Sequence, residues 1–273
     1  MQLPRAITSD LLINSSYSFK PVTGLLELSL NEKAVYASNH PEYVSLVLAE
    51  ALETIAGESV DIEKVKSLCV GDRQFLMQKL AAYIDDSPVW LTARCNECSE
   101  LFDFSIRYSE LPVKPAGKNF PEVILDTHQG QIKVRVPNGR DQEMIADISD
   151  DEQALQKLLG NLIKPLSEAG ASFEYTAEAI EDIEKAVEDM SPEIATEVRA
   201  ECPECQTQSK IALNTERGFG SQLNDLYKEI HELAMHYHWS EQEILSLSRK
   251  RRLTYLGLID QSREMFSVPA EVK

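Results

Sequence analysis

Hydrophobic residues repeat at helical spacing in the first third of the chain. From Pro41 to Leu52 the apolar positions fall three and four residues apart, which predicts an amphipathic helix. Asp61 and Asp72 are suited to cap two further helices, which we expect to end near Leu68 and Ile84. These apolar stripes indicate core packing surfaces and not binding sites.

The same spacing returns in the second half. From Asp141 onward, apolar residues recur at helical intervals within a strongly acidic segment. Residues 222–237 are predicted to form a helix, and Ser240 and Glu243 form the capping box of a second one that runs to about Ile259. A short turn between them predicts a C-terminal helical hairpin.

Short apolar runs predict β-strands. Residues 123–125 and 131–136 are two such runs, and Gln129-Gly130 is suited to the turn between them. Near the N-terminus Leu25–Leu30 alternates after its first pair, so we interpret residues 1 to about 38 as a strand or arm. The mixture of helices and hairpins predicts the α+β class.

Composition and charge narrow the class of protein. The chain has 273 residues, 43% of them hydrophobic, which is typical of a globular protein with its own core. It contains no run of 18 apolar residues and no signal-peptide pattern, so we expect no membrane span and a location in the cytoplasm of the producing cell. A net charge of −18 argues against nucleic-acid binding.

Four of the five cysteines form two C-x-x-C pairs, Cys95/Cys98 and Cys202/Cys205, and each pair lies between extended runs. In a reducing compartment such pairs are more typical of a metal site than of disulfides, and four thiolates suit tetrahedral zinc. The pairs are 103 residues apart, which excludes a continuous zinc ribbon. We therefore predict a zinc ribbon that is split by an insert and holds one structural zinc per chain.

Two alternatives for these cysteines stay open: pairs that bind no metal, and redox-active C-x-x-C motifs. Neither pair opens an obvious helix after a strand, where a helix dipole would lower the pKa of a thiol, so the redox interpretation is the weaker one. A catalytic zinc needs an open coordination position, which four thiolates do not leave.

Motifs for catalysis are missing from the sequence. A phosphate-binding loop and a serine-esterase elbow do not occur. His231 and His236 resemble a zinc-protease motif with one residue too many, and on a helix their side chains would point about 140° apart. We therefore predict that the protein is not an enzyme and that these histidines are packing or turn residues.

Two charged segments each allow a plain and a functional interpretation. Residues 141–204 hold 18 acidic and four basic residues, which favours a solvated helix face over a surface for a basic partner. The basic run Arg249–Arg252 is interpreted as a solvated face that offsets this acidity, with a docking surface for an acidic partner as the alternative.

With these features in hand, the chain resembles a known family. Cys202–Cys205, Ile230–Ala234, Trp239–Leu247 and Arg249–Tyr255 are similar to the T-even-type contractile phage tail baseplate hub and hub-assembly chaperone family, also found in phage-derived injection systems. We expect the similarity to be densest over residues 196–260 and looser over 70–105, and not to cover the N-terminal arm or the acidic insert.

The resemblance implies a non-enzymatic structural or assembly protein of the tail tip. Its implied partners are baseplate hub, spike or tape-measure proteins, with a homo-oligomer as a further option, and it could be incorporated in the virion tail or injection particle. The alternative is a zinc-ribbon regulatory or nucleic-acid-associated module.

The expected architecture is helical segments around a split zinc-ribbon-like pair of β-hairpins. We divide the chain into an N-terminal arm (1–38), a helical segment (39–86), a first zinc knuckle with β-hairpins (87–138), an acidic helical insert (139–195), a second zinc knuckle (196–216) and a C-terminal helical hairpin with a tail (217–273).

Overall fold

The computed structural model describes residues 16–166, 173–195, 197–213 and 225–267. Its N-terminal part is a small three-stranded sheet, in the order β1-β2-β3, packed with four helices. The elements are β1 Tyr17–Phe19, α1 Gly24–Tyr36, α2 His40–Ala51, β2 Leu52–Ile55, β3 Glu58–Ser59, α3 Ile62–Ser67 and α4 Val70–Ile84.

Helices α2, α3 and α4 lie where the apolar stripes predict them. Their inward residues, such as Val47, Leu48 and Leu76, are fully buried. The cap of α3 is confirmed, because the Asp61 side chain accepts a hydrogen bond from the amide of Lys64 at 2.8 Å. The predicted cap of α4 is wrong: the helix begins at Val70, two residues before Asp72, and the capping side chain belongs to Cys69.

The prediction of an extended N-terminal arm is wrong for Leu25–Leu30, which lies inside α1. Alternation over so short a window does not separate a strand from a helix. Leu26 and Leu30 are four residues apart and share one helix face, and both are buried. Thr23 starts the helix by accepting a hydrogen bond from the amide of Leu26 at 3.4 Å.

The middle of the chain contains two hairpins and the acidic helices. The first hairpin is β4 Val89–Arg94 and β5 Leu101–Ile106, followed by a 3-10 turn at Tyr108–Glu110 and strand β6 Val113–Lys114. The elements that follow are β7 Glu122–Thr127, β8 Gly130–Arg135, α5 Gly139–Ile145, α6 Asp151–Leu162, β9 Ile163–Pro165, α7 Ala177–Met190 and β10 Glu193–Ile194.

The predicted β7–β8 hairpin is confirmed, with a turn one residue earlier than expected. Thr127 pairs with Gly130, so His128 and Gln129 form the loop. Strand β9 extends the hairpin to an antiparallel sheet in the order β7-β8-β9, and β10 pairs separately with β6.

The acidic helices are built onto this sheet. Val134 of β8, Leu159 of α6 and Ile183 of α7 are buried in one core, so the β7–β8 hairpin and the acidic segment share their packing. The outer residues of α7, among them Glu181 and Asp182, are exposed. The acidic face of α7 is therefore exposed, as both interpretations of the acidic segment require.

The last elements are β11 Glu197–Glu201, β12 Gln208–Ala212, α8 Leu226–Tyr237, α9 Glu241–Ser246 and α10 Arg249–Ser267. The capping box at Ser240 and Glu243 is confirmed, and the helical hairpin has its own core. The predicted start at residue 222 lies outside the described residues.

The second predicted helix is divided at Leu247-Ser248 into α9 and α10. The cause is tertiary, because Ser248 forms a β-bridge with Thr23 and the Leu247 carbonyl accepts a hydrogen bond from the Gly24 amide at 3.2 Å. Over the part of the chain that the structure describes, no helix is long and apolar enough to cross a lipid bilayer.

Candidate metal centre

The two C-x-x-C pairs lie at the tips of two equivalent hairpins. In the first, the Cys95 amide donates to the Glu100 carbonyl at 2.8 Å, and in the second the Cys202 amide donates to the Thr207 carbonyl at 3.0 Å. Each loop returns the chain to an antiparallel strand, β5 or β12. The loops therefore repeat one local fold, the knuckle that the spacing predicts.

Backbone conformation confirms this equivalence. The residue after the second cysteine of each pair has a left-handed conformation, with φ of 62° at Ser99 and 60° at Gln206. Few non-glycine residues adopt such angles, so their occurrence at matching positions shows that both loops close in the same way.

The structure brings the four predicted cysteines together. The Sγ atoms of Cys95 and Cys205 are 3.6 Å apart, those of Cys98 and Cys202 are 3.7 Å apart, and all four lie within 4.8 Å of one another. A tetrahedral ion with bonds of about 2.3 Å to sulfur has sulfur–sulfur edges of about 3.8 Å. The cluster is thus compatible with a four-thiolate zinc site.

The site has an apolar floor and an open rim. Cys95 and Cys202 are almost fully buried, whereas Cys98 and Cys205 are exposed. The inner sulfurs rest on a small core shared by both hairpins, which contains Ala93, Phe102, Ala200 and the partly buried Phe104 and Ile211. Either hairpin alone would leave this surface in water, so each stabilises the other.

Hydrogen bonds already favour thiolates at two of these positions. The amides of Cys98 and Glu97 point at Cys95 and lower the pKa of its thiol to about 6. The hydroxyl and amide of Thr207 lower the pKa of Cys205. The Glu100 amide acts in the same direction on Cys98, but hydrogen bonds with the other three thiols raise its pKa to about 12. Four thiolates this close need a cation.

The sulfur contacts bear on the redox alternative. Cys95 contacts Cys205 at 3.6 Å and Cys98 contacts Cys202 at 3.7 Å across the two hairpins, and all four sulfurs lie within 4.8 Å of one another. Both distances greatly exceed the length of a disulfide bond, and all four cysteines are free. This arrangement favours one shared cation over two independent dithiols.

The histidines of the α8 helix are separate from this cluster. His231 and His236 are both exposed and lie inside α8, so the prediction that they are packing or turn residues is wrong. Within the described ranges, the cysteine tetrad is the one group of three or more metal-ligating side chains close enough to hold an ion.

The basic run Arg249–Arg252 on α10 is neither wholly a solvated face nor wholly a docking surface for an acidic partner. Arg252 is completely buried, and its guanidinium donates to Glu27 at 2.7 Å and to Glu229 at 2.9 Å. Arg249 is mostly buried beside Glu27, whereas Arg251, which precedes Arg252, is exposed. A run of charges does not reveal which member turns inward. The signal that could have revealed it is Glu27, an acid among buried leucines that requires a cationic partner.

A comparison with protein families completes this description. A family model described as T4 bacteriophage base plate protein matches residues 7–219. The chain belongs to this family. The match to the baseplate protein includes both cysteine pairs, the N-terminal helices and the acidic segment, and it ends before α8. The expectation that the similarity would omit the N-terminal arm and the insert is therefore wrong, and the match does not extend over residues 220–260. No curated protein and no solved structure gives a match.

Proposed function

We propose that this baseplate protein is a non-enzymatic structural or assembly component of the baseplate hub, stabilised by one structural zinc per chain. The ligands are Cys95, Cys98, Cys202 and Cys205. The observation that carries the proposal is the convergence of these four thiols from two distant hairpins in a chain of the baseplate family.

The zinc acts as a structural crosslink. Apparent binding free energies of structural zinc sites are about 10–16 kcal/mol, comparable to the whole stability of a domain. The two hairpins flank the acidic segment in the chain, so an ion between Cys98 and Cys202 closes both ends of that insert. The metal thereby holds the surfaces on either side in one rigid arrangement.

The chemistry of the donor set opposes catalysis. Four thiolates fill a tetrahedral shell and leave no position for water or substrate. The protein then functions through contacts with other tail proteins, namely hub, spike or tape-measure proteins, and through self-association if it forms an oligomer. Exposed Trp90 (71%) and Leu101 (55%) supply apolar contact surface on the first hairpin.

The family supports the place of action that we propose. The protein is made in the cytoplasm of the producing cell and is incorporated in the tail or injection particle with the rest of the baseplate. The alternative function, a zinc-ribbon regulatory or nucleic-acid-associated module, is favoured by the knuckles themselves and opposed by the net charge of −18.

Co-expression with each candidate partner tests this proposal. We expect a tagged hub, spike or tape-measure protein to retain the chain at 1 M salt, about the ionic strength at which long-range charge attraction is screened. Cys98→Ser should weaken this retention, and Cys69→Ser, which leaves the tetrad intact, should not. Salt-sensitive retention on DNA without retention by any tail protein would support the regulatory alternative instead.

A further inference from the structure

A buried hydroxyl lies against the cysteine tetrad. Ser209, on strand β12 of the second hairpin, is 2% exposed. Its Oγ donates a hydrogen bond to the Sγ atom of Cys95 at 3.8 Å, and Cys95 is also 2% exposed. A cysteine sulfur is a weak acceptor as a neutral thiol and a stronger one as a thiolate, so this hydrogen bond gains strength when Cys95 is ionised.

The hydrogen bond from Ser209 crosses between the two hairpins. The Glu97 amide also donates to Cys95 Sγ, at 3.4 Å, but Glu97 belongs to the same C-x-x-C loop as its acceptor. Ser209 follows Cys205, the last cysteine of the other pair, by four residues. A single knuckle therefore supplies the amide donor by itself, whereas the hydroxyl reaches Cys95 only when the hairpins are together.

The matching position in the first hairpin carries no donor. Phe102 follows Cys98 by four residues, pairs with Ala93 across β4 and β5, and is 5% exposed. Ser209 pairs with Ala200 across β11 and β12 in the same way. A serine in this apolar floor fills less space than a phenylalanine and costs free energy unless its hydroxyl is hydrogen-bonded. Packing alone does not explain a serine at this position.

Charge at the buried sulfur gives the hydroxyl a role. The charge of four thiolates exceeds that of Zn²⁺, and donors that point at the sulfurs offset the excess and hold the ligands in place. Water can reach the exposed Cys98 and Cys205 for this purpose. Cys95 faces the apolar floor, so its donors must come from the protein.

We propose that Ser209 is a positioning residue of the metal site. Its hydroxyl donates to the Cys95 thiolate from the opposite hairpin, raises the affinity for zinc and couples binding of the ion to the pairing of the two hairpins. This inference rests on the proposed zinc site and adds to it a residue outside both C-x-x-C motifs.

Ser209→Ala tests the proposal, with Ser105→Ala as the matched control on the exposed face of β5. Ser209→Ala removes one oxygen atom from an apolar core, so we expect the fold to persist. In competition with a chromogenic chelator, its zinc affinity should fall about tenfold or more. Ser105→Ala should bind zinc as the native protein does, and Ser209→Thr, which keeps the hydroxyl, should recover most of the affinity.

A second measurement separates the hydrogen bond from packing. Co²⁺ replaces zinc in four-thiolate sites, and its sulfur-to-metal charge-transfer band reports the energy of the sulfur lone pairs. A hydrogen bond lowers that energy, so Ser209→Ala should move the band to longer wavelength. Ser209→Thr should return the band towards its native position, and Ser105→Ala should not move it.

Two results would overturn the proposal. One is a Ser209→Ala variant with native zinc affinity and a native charge-transfer band. The other is a weaker affinity with an unmoved band, which would show that Ser209 acts through packing alone. Failure of the native protein to bind either metal is a different result, because it counts against the proposed zinc site itself and needs no variant.

Discussion

Arg252 and Glu27 are 225 residues apart in the chain and form an ion pair that is closed to solvent. The Arg252 guanidinium reaches both carboxylate oxygens of Glu27, at 2.7 and 2.8 Å, and its Nε donates to Glu229 at 2.9 Å. The pair joins α10 to α1, so the C-terminal helices are fastened to the N-terminal part through buried charge.

We expect the removal of Arg252 to destabilise the fold. Arg252→Met leaves Glu27 and Glu229 without their shared cation in a buried position, so we expect the free energy of unfolding to fall by about 3–5 kcal/mol. Urea-induced unfolding monitored by circular dichroism measures the loss. Arg251→Met changes the exposed neighbour and should cost little. Similar losses in the two variants would show that the pair does not fasten the C-terminal helices.

Substitutions at Gly71 and Gly257 test how tightly α4 and α10 are packed at these positions. A Cβ at Gly71 would lie 1.9 Å from the carbonyl oxygen of Pro192, a backbone atom that cannot move aside easily, whereas a Cβ at Gly257 meets nothing within 4 Å. We expect Gly71→Ala to lower the melting temperature through a loss of about 1–3 kcal/mol or more. Gly257→Ala should stabilise α10 by about 0.5–1 kcal/mol. Calorimetry that gave both variants the same sign would contradict this packing.

Asp141 should contribute stability that depends on pH. Burial raises its pKa, but hydrogen bonds from Arg135, the Asn138 amide and Asn161 outweigh burial and hold the pKa below its usual value. The pKa of Asp141 in the folded state is thus below its pKa in the unfolded state, which is about 3.9. The stability that Asp141 contributes is therefore complete above the unfolded pKa and is lost as the pH falls through the folded pKa.

The corresponding variant is Asp141→Asn. At pH 7 it should be less stable than the native protein by about 1.5–3 kcal/mol, because it loses charged hydrogen bonds. The difference should narrow as the pH drops below about 4. Asp182→Asn, on the exposed face of α7, is the control. A difference that stayed constant from pH 7 to pH 3 would mean that the charge of Asp141 plays no part.

Cysteine substitutions separate one shared site from two. Cys98→Ser and Cys205→Ser each remove one exposed ligand, so both should lower zinc affinity by similar factors. Each loss should exceed the roughly 10–100-fold that is typical when a residue hydrogen-bonded to a ligand is changed. Cys69→Ser should keep the metal, because Cys69 caps α4 and lies outside the tetrad. Competition with a chromogenic chelator measures these affinities. Strongly unequal losses would indicate separate sites.

Local sequence patterns predicted much of this fold and the candidate site. The stripe over 41–52, the β7–β8 hairpin and the capping box at Ser240 each depend on neighbouring residues, and the structure confirms them. The two identical cysteine spacings indicated a shared cluster, because two hairpins of this kind could hold one ion between their tips. Their convergence within 4.8 Å agrees with that expectation.

The features that escaped prediction depend on distant residues. The sequence predicts a solvated face for Arg252, because its buried partner Glu27 lies far away in the chain. The break between α9 and α10 has no glycine or proline to mark it and comes from the bridge between Ser248 and Thr23. Short-range periodicity carries no information about such contacts.

The central claim is that one zinc ion joins the two hairpins, and X-ray absorption spectroscopy of the purified protein tests it most directly. We predict about one zinc per chain with four sulfur neighbours at about 2.3 Å and no nitrogen or oxygen in the shell. Protein purified under reducing conditions without bound metal, or a shell with two sulfurs and two lighter atoms, would contradict the shared four-thiolate site.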